Sequence, residues 1–489
     1  MSSLSSNGNN ALMHLAKVLR CELATPKQAL LELVLKQDKD STSADINQSM
    51  SQPLDEMSRL KRTTPIDCLR KINQAFTSQN NHPYSVFLCG LFSFDLIASF
   101  EQLPAVKMGN NLCPDYVFYL AEELLVIDHE TQQCQIYSCV FDGADFDKNF
   151  YEQSRRLSLI AQKMTQGIDQ LDSQQLAKPA ITAEKYQSVA CDLSDQAYAD
   201  QVIQLKQNIL AGDIFQVVPS RSFSTPCKDK LLAYQELKLA NPSPYLFYLE
   251  DQDFTLFGAS PESALKYQAC DRKVELYPIA GTRARGKLAN GEIDFDLDCR
   301  FEAELKLDQK EVAEHMMLVD LARNDISRIS EQGSIKIPRL MQVDRYSHVM
   351  HLVSCVEGTL SKDLDCLHAY QACMNMGTLT GAPKIKATEL LRRCEGKRRG
   401  SYGGAVGYIN ADGDMDTCIV IRSAYCRDGT AYIQAGAGVV HDSDPMAEAD
   451  ETRKKAGAVI EAVLRANELI EQGSLIKGEL NQQTPQGEN

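Results

Sequence analysis

The spacing of apolar and polar positions divides the chain into helical and strand-like stretches. Apolar residues recur near every third or fourth position in residues 11–35, which predicts an N-terminal helical region. Between 84 and 140 the apolar residues are aromatic or β-branched and lie in short runs, which predict strands. Residues 37–52 are rich in Ser, Asp and Gln, as is typical of a loop.

A second patterned region begins near residue 194. The stretch QAYADQVIQLKQNILAGDI predicts an amphipathic helix that ends at Gly212, and IFQVVPSRSF after it predicts a strand. From 403 to 440 the pattern predicts a meander of GAVGYI, TCIVIRSAYC and AYIQAGAGVV, with DGD and RDG turns between them. Flanking helices are predicted at 303–323 and 446–467. Strands mixed with flanking helices favour an α+β fold over a repeating βαβ scheme.

These patterns divide the chain into four segments. We predict an N-terminal region at 1–142, a polar and partly helical linker at 143–193, a second folded region at 194–467 and a flexible tail at 468–489. No internal repeat is visible in the sequence.

Composition narrows the class of protein. The 489 residues carry a formal net charge of −15, which argues against general binding to nucleic acid. The 16 cysteines form no C-x-x-C pair, so we interpret them as reduced thiols of a cytoplasmic protein. The first residues lack the pattern of a signal peptide, and no apolar run reaches the length that spans a bilayer, so we expect no membrane association.

Two pairs of glutamates lie in stretches predicted as helical. Glu311 and Glu314 in EVAE, like Glu448 and Glu451 in EADE, have the i,i+3 spacing that places two side chains on one face of a helix. Like charges this close favour a compensating cation, and oxygen ligands suit Mg²⁺. The residues alone leave open the alternative of two solvated acidic faces.

Glycines and positive charges collect at other points of the second region. Bare backbone at Gly436, Ala437 and Gly438 allows an anion to approach closely, although by itself the segment favours a bend required by packing. Arg422 lies in an otherwise apolar run and needs a partner, for which a carboxylate is suitable. Lys455, four residues after a glutamate, is either a second positive charge near the same place or a surface lysine.

Residues 277–286, YPIAGTRARG, predict a short loop that carries Arg283 and Arg285. Farther along, RYSHVMHLVSCVEG predicts a strand in which His348 and His351 point to opposite faces, so they make a poor metal pair. One of the two is a candidate proton carrier, although the residues alone favour a hydrogen-bonded core histidine in either case.

An ordered set of motifs resembles the chorismate-utilising enzymes and, among them, the large subunits of anthranilate synthase. The motifs follow one another from about 194 to 457: IFQVVPSR, NPSPYLFY, FGASPES, YPIAGTRARG, EHMMLVDLARND, VDRYSHVMHLVS, MNMGTLTGAPK, GSYGGAVGY, DTCIVIRSA, QAGAGVVHDSDP and EADETRKKA. The resemblance implies two large antiparallel β-sheets packed as a sandwich with helices on the outside.

The resemblance also implies a reaction and partners. Chorismate and ammonia would give anthranilate and pyruvate, the first step of tryptophan biosynthesis. A separate glutamine amidotransferase subunit, component II, would supply the ammonia, and two large and two small subunits would form a heterotetramer.

Family roles fall on matching residues of this chain. Glu314 and Glu451 would bind Mg²⁺ directly, with Glu311 and Glu448 in support. Glu262 would be the general acid, His351 the base, and Thr378 would position the ammonia or the ring. Chorismate would contact Gly281, Thr282, Tyr402, Arg422, Gly436, Ala437, Gly438 and Lys455. Arg283 and Arg285 are interpreted as bracing the loop rather than as touching substrate.

Two positions separate the relatives. Water-adding relatives carry a lysine base where Gln216 stands, and a neutral glutamine cannot activate water. The para-aminating relative, aminodeoxychorismate synthase component I, has a nucleophilic lysine where Ala280 stands. That relative, and a non-catalytic regulatory subunit of the same fold, remain the alternatives.

Tryptophan feedback is the point at which the chain departs from the family. Pro244, Tyr245 and Leu246 match the inhibitor site, where methionine is frequent in place of the leucine. In LLELVL, residues 30–35, Leu33 stands where relatives have a serine that contacts the inhibitor, and the stretch is predicted as helical. We expect the chain to begin later than its relatives do, and tryptophan feedback to be weakened or lost.

Overall fold

The structure, a computed structural model, describes residues 5–19, 23–24, 32–33, 55–76, 82–167, 188–288, 290–346 and 349–482. The predicted loop at 37–52 and His348 lie outside the described residues. The contacts divide the chain into two compact units. One comprises residues 1–89, 118–178 and 408–414, and the other comprises 90–117, 179–407 and 415–489.

The first unit combines helices with two short antiparallel pairs of strands. Its elements are α1 (Ser6–Leu19), β1 (Leu23–Ala24), β2 (Glu32–Leu33), α2 (Glu56–Leu60), α3 (Asp67–Ala75), β5 (Glu123–Asp128), β6 (Gln133–Ser138) and α4 (Phe146–Gly167). Helix α4 lies in the predicted linker, which was expected to be partly helical. In this unit Asn7 Nδ2 donates to the Cys139 carbonyl at 2.8 Å, which fastens α1 to the chain after β6.

The helical prediction for residues 11–35 is only partly confirmed. Helix α1 ends at Leu19, and β1 pairs antiparallel with β2, so that Leu23 lies opposite Leu33. The prediction was therefore wrong for both strands, Leu23–Ala24 and Glu32–Leu33. A short apolar run such as LLELVL fits a helix and a strand equally well, and here pairing with a second strand decides the outcome.

The smaller sheet of the second unit has six strands in the described part of the chain. Their order is β10 (Tyr245–Glu250), β11 (Thr255–Ser260), β20 (Ser423–Arg427), β21 (Thr430–Gly436), β9 (Ser220–Pro226) and β7 (Ala190–Cys191). All the registered pairs are antiparallel.

The larger sheet has nine strands among the described residues. Its order is β14 (Ile279–Ala284), β16 (Val349–Thr359), β13 (Lys273–Leu276), β12 (Ser263–Gln268), β19 (Met415–Ile419), β18 (Ala405–Asn410), β3 (Phe87–Phe92) and β4 (Tyr116–Leu120), with β15 (Lys336–Arg345) also paired to β16. Strands β13 and β14 follow one another along β16, interrupted at Tyr277 and Pro278. A further short pair joins β8 (Gln216–Val217) to β17 (Gly381–Ala382).

The two sheets pack face to face, and helices cover their outer faces. Leu256 and Tyr425 of the smaller sheet share an apolar cluster with Cys418 of the larger sheet. On the outer face of the smaller sheet, Phe257 packs in one cluster with Val459 and other residues of the neighbouring helices. The predicted α+β sandwich with outer helices is therefore confirmed.

The helices of this unit are α5 (Asp195–Leu210), α6 (Lys230–Ala240), α7 (Phe295–Leu307), α8 (Gln309–Ser327), α9 (Cys366–Cys373), α10 (Lys384–Glu395) and α11 (Pro445–Gln482). The single helix predicted at 303–323 is two helices, because Asp308 adopts an extended conformation (ψ 105°) and caps α8 with its side chain. Helix α11 continues to Gln482, into the segment predicted as a flexible tail. No described helix is both long enough and apolar enough to cross a membrane.

The predicted meander was wrong in its central strand. TCIVIRSAYC forms β19 in the larger sheet and β20 in the smaller sheet, so the chain changes sheets between them. The break falls at Arg422, whose φ of +49° does not fit an extended strand. TCIVIRSAYC contains no glycine or proline, so no turn residue marks the break in the sequence.

Candidate functional site

Glu262 and Arg422 occupy neighbouring places at which the chain passes from one sheet to the other. Glu262 lies between β11 and β12, and Arg422 lies between β19 and β20. Because β11 pairs with β20 and β12 pairs with β19, the two crossings run side by side. The Ile419 N–H donates to the Glu262 carbonyl at 3.0 Å and joins them. The fold thus places Glu262 and Arg422 on adjacent segments that connect the two sheets.

The side chain of Glu262 is buried and hydrogen-bonded. Only 8% of the residue is exposed, and Thr378 Oγ1 donates to Glu262 Oε1 at 2.8 Å. Burial raises the pKa of Glu262 to about 7, although the Thr378 hydrogen bond and the charge of Lys455 both act to lower it. A cavity of about 30 Å³, lined mainly by apolar side chains, adjoins the carboxyl. A carboxyl with this pKa can donate a proton near neutral pH.

The first glutamate pair lies in the opening turns of α8. Gln216 Nε2 donates to Glu314 Oε1 at 2.9 Å, and Arg283 NH1 lies 3.3 Å from Glu311 Oε1. Burial and the negative charge of Glu311 raise the pKa of Glu314. The Asp308 carboxylate accepts from the Glu311 N–H at 3.2 Å and so fixes this end of the helix.

The second pair lies in the opening turns of α11. Glu448 is 6% exposed, and among the described residues its Oε2 has no hydrogen-bond partner. Burial raises the pKa of Glu448, a hydrogen bond from Ser443 lowers it, and the charge of Glu451 raises it further. Glu451 Oε1 lies 2.7 Å from Lys455 Nζ.

Lys455 is the common neighbour of these carboxyl groups. Besides its ion pair with Glu451, its charge lowers the pKa of Glu262, Glu314 and Glu448. Two helices and one sheet crossing therefore contribute carboxyls to the field of a single ammonium group. Both predicted glutamate pairs therefore have a member whose pKa the charge of Lys455 lowers.

Whether the four glutamates can bind a divalent cation depends on their oxygen atoms and on the partners of those atoms. Within the described ranges, no three His, Cys, Asp or Glu side chains lie together as a metal-binding group. Glu448 nevertheless has an unpartnered Oε2, and burial together with the charge of Glu311 raises the pKa of Glu314, so a cation would stabilise the ionised form of both carboxyls. An all-oxygen set of this kind suits Mg²⁺. The magnesium site is compatible with these residues and stays a prediction.

The predicted loop at 277–286 is in fact largely strand β14, which brings Thr282 opposite His351. Thr282 Oγ1 lies 3.0 Å from His351 Nδ1, and the Gly281 carbonyl lies 3.2 Å from the same nitrogen. A carbonyl can only accept, so the Gly281 contact favours the tautomer in which Nδ1 carries the proton and Nε2 keeps its lone pair. Burial lowers the pKa of His351, so the ring is neutral at pH 7 and can take up a proton.

Gly281 makes the strand pairing possible at this point. Its φ is +75°, and the register shifts between Ala280 and Thr282. A Cβ at Gly281 would lie 2.9 Å from Leu305 Cδ1 and 3.2 Å from Glu311 Oε2. Glycine therefore allows the strand to pass close to the first glutamate pair.

Arg422 and Tyr402 are both held inside the second unit. Arg422 NH1 donates to the Lys455 carbonyl at 2.7 Å, which links the sheet crossing to α11. Tyr402 is 5% exposed, and burial raises its pKa to about 12, so its hydroxyl is protonated at neutral pH. The two polar groups can donate to an anion without changing their own charge.

The segment Gly436–Gly438 lies at the end of β21. A Cβ at Gly438 would lie 2.8 Å from Gln216 Nε2. The Ala437 N–H already donates to the Pro219 carbonyl at 3.2 Å, and Lys455 Nζ donates to the Gly436 carbonyl at 3.1 Å. The close approach predicted here is therefore occupied in part by groups of the protein itself.

Arg283 and Arg285 both have carboxylate partners inside the protein. Arg283 NH2 donates to Asp308 Oδ2 at 2.7 Å. Arg285 makes a two-pronged pair with Asp298, with Nε–Oδ1 at 2.8 Å and NH2–Oδ2 at 2.9 Å. These contacts support the interpretation that the arginines brace β14.

The residues matched to the inhibitor site begin the edge strand β10. Pro244 is exposed and immediately precedes the strand. Tyr245 Oη donates to Asp416 Oδ1 at 3.0 Å, and burial raises the pKa of Tyr245. Leu246 packs against the cluster beneath the outer helices.

Sequence reasoning missed Arg221, although it lies in the quoted motif IFQVVPSR. Arg221 is 1% exposed on β9 and donates to residues of α11. The strand SRSFSTP is largely polar, so the signal used for Arg422, a charge within an apolar run, is missing here. Asp308, the cap that separates α7 from α8, was also missed.

Comparisons with known proteins identify relatives over most of the chain. A family model described as chorismate binding enzyme matches residues 22–461. Anthranilate synthase component 1 of Vibrio cholerae serotype O1 is 56% identical over 415 residues, which cover 85% of this chain and 77% of the relative. The protein of that name from Escherichia coli K12 is 51% identical over 414 residues, which cover 85% of this chain and 78% of the relative.

A solved structure agrees with the sequence relatives. The crystal structure of anthranilate synthase component I from Streptococcus pneumoniae superposes with a TM-score of 0.68 at 30% sequence identity. The match covers 82% of this chain and 86% of that one.

Proposed function

This chain belongs to the chorismate-binding enzymes, and from its likeness to the anthranilate synthase component 1 proteins we propose that it converts chorismate and ammonia to anthranilate and pyruvate. The proposal rests mainly on the carboxyl groups around Lys455. The charge of its ammonium group lowers the pKa of Glu262, Glu314 and Glu448, and the same group forms an ion pair with Glu451. Chorismate is a dianion with a hydroxyl to be lost, and this arrangement offers both cations and a proton donor.

The first chemical task is to replace the ring hydroxyl by ammonia. Hydroxide is a poor leaving group, so the oxygen must be protonated as its bond to the ring breaks and the ammonia nitrogen adds. Glu262, with a pKa of about 7, holds a proton for this step. Thr378 fixes the orientation of the Glu262 carboxyl through its hydrogen bond of 2.8 Å.

The second task is aromatisation. A ring proton must be removed as the enolpyruvyl group leaves, which gives anthranilate and pyruvate. His351 is neutral and its Nδ1 is committed to Gly281, so Nε2 is available as the base. Arg422 and Lys455 supply fixed positive charge for the carboxylates of the substrate, and Tyr402 supplies a hydroxyl.

Magnesium would be held by Glu314 and Glu451, with Glu311 and Glu448 in support. When bound, the ion would neutralise the ring carboxylate and orient the ring. Support for this assignment comes from the oxygen-only donor set and from the unpartnered oxygen of Glu448.

Gln216 is the residue that bears on whether ammonia or water is the nucleophile. Its amide donates to Glu314 and carries no basic group, which supports ammonia rather than activated water as the nucleophile. Ala280 has no nucleophile, which supports direct attack of ammonia on the ring and disfavours aminodeoxychorismate synthase as the alternative.

Component 1 implies a second component. We expect a glutamine amidotransferase subunit to deliver ammonia, and two large and two small subunits to assemble as a heterotetramer. The cysteines of the described residues are free thiols, which supports a reducing cytoplasmic location.

The test is an assay of the purified chain with chorismate, Mg²⁺ and ammonium. We expect fluorescent anthranilate and an equal amount of pyruvate, and an E262Q variant with about a thousandfold lower kcat, as is typical of the loss of a general acid. A para-amino product would instead favour the aminodeoxychorismate synthase, and no pyruvate at all would favour a non-catalytic subunit.

Tryptophan feedback is proposed to be weak. Tyr245 and Leu246 retain the strand of the inhibitor site, but Leu33 provides no hydroxyl. Inhibition of anthranilate formation should need more tryptophan than in an L33S variant. Equal inhibition of the two proteins would contradict this proposal.

A further inference from the structure

We propose that Arg221 is a positioning residue. It fixes the first turns of α11 along the helix axis and in rotation about that axis, and so fixes the positions of Glu448, Glu451 and Lys455. The inference rests on the proposed function, because those side chains are assigned there to the metal and the substrate. Arg221 touches neither of these ligands in the proposal and acts only through the helix.

Every donor atom of the Arg221 guanidinium has an acceptor. Nε donates to Thr452 Oγ1 at 2.8 Å, and NH2 donates to the Ala449 carbonyl at 2.6 Å. NH1 donates to the Leu193 carbonyl at 3.1 Å and to Asp195 Oδ1 at 2.8 Å. The side chain thus ties α11 to the start of α5.

The contacts on α11 alternate with the functional residues. Ala449 directly follows Glu448, and Thr452 directly follows Glu451. Thr452 Oγ1 also donates to the Ala449 carbonyl at 2.7 Å, so the guanidinium, the hydroxyl and the carbonyl form one closed group. A helix held at two points one turn apart can neither slide along its axis nor rotate about it.

The backbone of Arg221 belongs to β9, which pairs with β21, the strand that ends at the segment Gly436–Gly438. Arg221 lies opposite Ala435 in the pairing of β9 with β21, one residue before Gly436. The guanidinium lies 5.2 Å from the ring centre of Tyr198 and 5.3 Å from that of Phe223, which restrict its plane. One side chain therefore fixes the distance between the glycine segment and the helix that carries Lys455.

Lysine could not replace Arg221 in this role. A planar fork with donors in three directions matches the three groups of acceptors, whereas an ammonium on a flexible stem does not. The buried acceptors would then lose partners, and the opening turns of α11 would be free to shift.

A matched pair of variants at Thr452 tests the inference. Thr452→Ser keeps the hydroxyl that accepts from Arg221, whereas Thr452→Val keeps the shape and the β-branch but removes it. With ammonium as nucleophile, we expect T452V to raise the Mg²⁺ concentration for half-maximal activity and the KM for chorismate by about tenfold, as for other residues that orient metal ligands. T452S should stay within about twofold of the unchanged chain.

Binding of Mg²⁺ alone, measured by calorimetry without chorismate, gives a readout independent of turnover. It should weaken in T452V and in R221K, and remain in T452S. D450N, which removes an exposed carboxylate from the same turns of α11, is the control and should bind as the unchanged chain does.

Two outcomes would be decisive against the inference. If T452V and R221K lose melting temperature but keep the Mg²⁺ affinity and the KM of the unchanged chain, Arg221 is only structural. If T452S is impaired as much as T452V, the hydroxyl is not the contact that matters. Failure of the unchanged chain to make anthranilate would instead refute the proposed function, so the two failures are distinguishable.

Discussion

The two glutamate-bearing helices have the same spacing of carboxylates but are held in different ways. The Glu311 side of α8 meets Arg283, whose side chain is 28% exposed, and is capped by Asp308. The corresponding end of α11 is held by Arg221, which is 1% exposed and bonds to the helix rather than to its glutamates.

This difference shows two uses of arginine near an acidic site. Arg283 neutralises a carboxylate directly, in contact with water, where an ion pair contributes little. Arg221 pairs with neither glutamate of α11. Glu451 pairs instead with Lys455 of the same helix at 2.7 Å, whereas Glu448 keeps an unpartnered oxygen. Glu448 is therefore the carboxyl of this helix with the most need for an external cation.

The largest expected effect is the loss of one proposed direct ligand from each helix. Both E314Q and E451Q should lower kcat/KM for chorismate by roughly a thousandfold, since several kcal/mol of charge stabilisation would be lost. Steady-state kinetics over a range of Mg²⁺ concentrations will measure this. D450N, an exposed neighbour on α11, is the control. A large loss in only one of the two variants would assign the ion to a single helix.

The acidic pairs themselves were readable from the sequence, because i,i+3 spacing on a helix defines a face. The position of both pairs near Lys455 was not predictable from spacing. The change of sheets at Glu262 and Arg422 was not predictable either, because TCIVIRSAYC contains no glycine or proline to mark it. The family resemblance supplied the fold that periodicity alone left undetermined.

The second prediction concerns Glu262, which lies on neither helix. Its role as general acid can therefore be tested separately from the glutamate pairs of α8 and α11. A general acid acts in its protonated form, so kcat at saturating ammonia should fall about tenfold per pH unit above its pKa of about 7. The Thr378 hydroxyl lowers the pKa of Glu262, so in T378V the fall of kcat should begin at a higher pH. If kcat falls over the same pH range in T378V, Thr378 does not control the pKa of Glu262.

The Arg221 contacts show why a side chain's role can remain hidden in a sequence. Arg221 stands between two serines in a largely polar strand, so nothing in the local sequence indicates that it is buried. Two of its partners are a carbonyl and a hydroxyl of α11, which lies more than two hundred residues farther along the chain. For Arg283 the partner Asp308 is nearby in sequence, and bracing was the favoured interpretation.

The third prediction concerns the unpartnered carboxyl of the second helix. Because the folded-state pKa of Glu448 is raised, its contribution to stability is full below the ordinary value of 4.5 and is lost as the pH rises through the folded-state pKa. In EDTA, E448Q should therefore melt about 2 °C higher than the unchanged chain at pH 8 and equally at pH 4.5. Added Mg²⁺ should raise the melting temperature of the unchanged chain more than that of E448Q. D450N should not raise it, and an E448Q that melts lower at pH 8 would contradict the prediction.

The smallest effect is expected for R283Q. The Arg283 pairs with Asp308 and Glu311 are partly exposed, and such pairs contribute up to about 1 kcal/mol, so kcat/KM should fall less than about fivefold. The Asp308 carboxylate still accepts from the peptide N–H of Glu311, so the cap of α8 remains without the arginine. R221K, measured beside it, should raise the Mg²⁺ requirement by a larger factor, although it keeps its charge. If R283Q proves the more damaging of the two, direct neutralisation rather than placement of the helix limits this site.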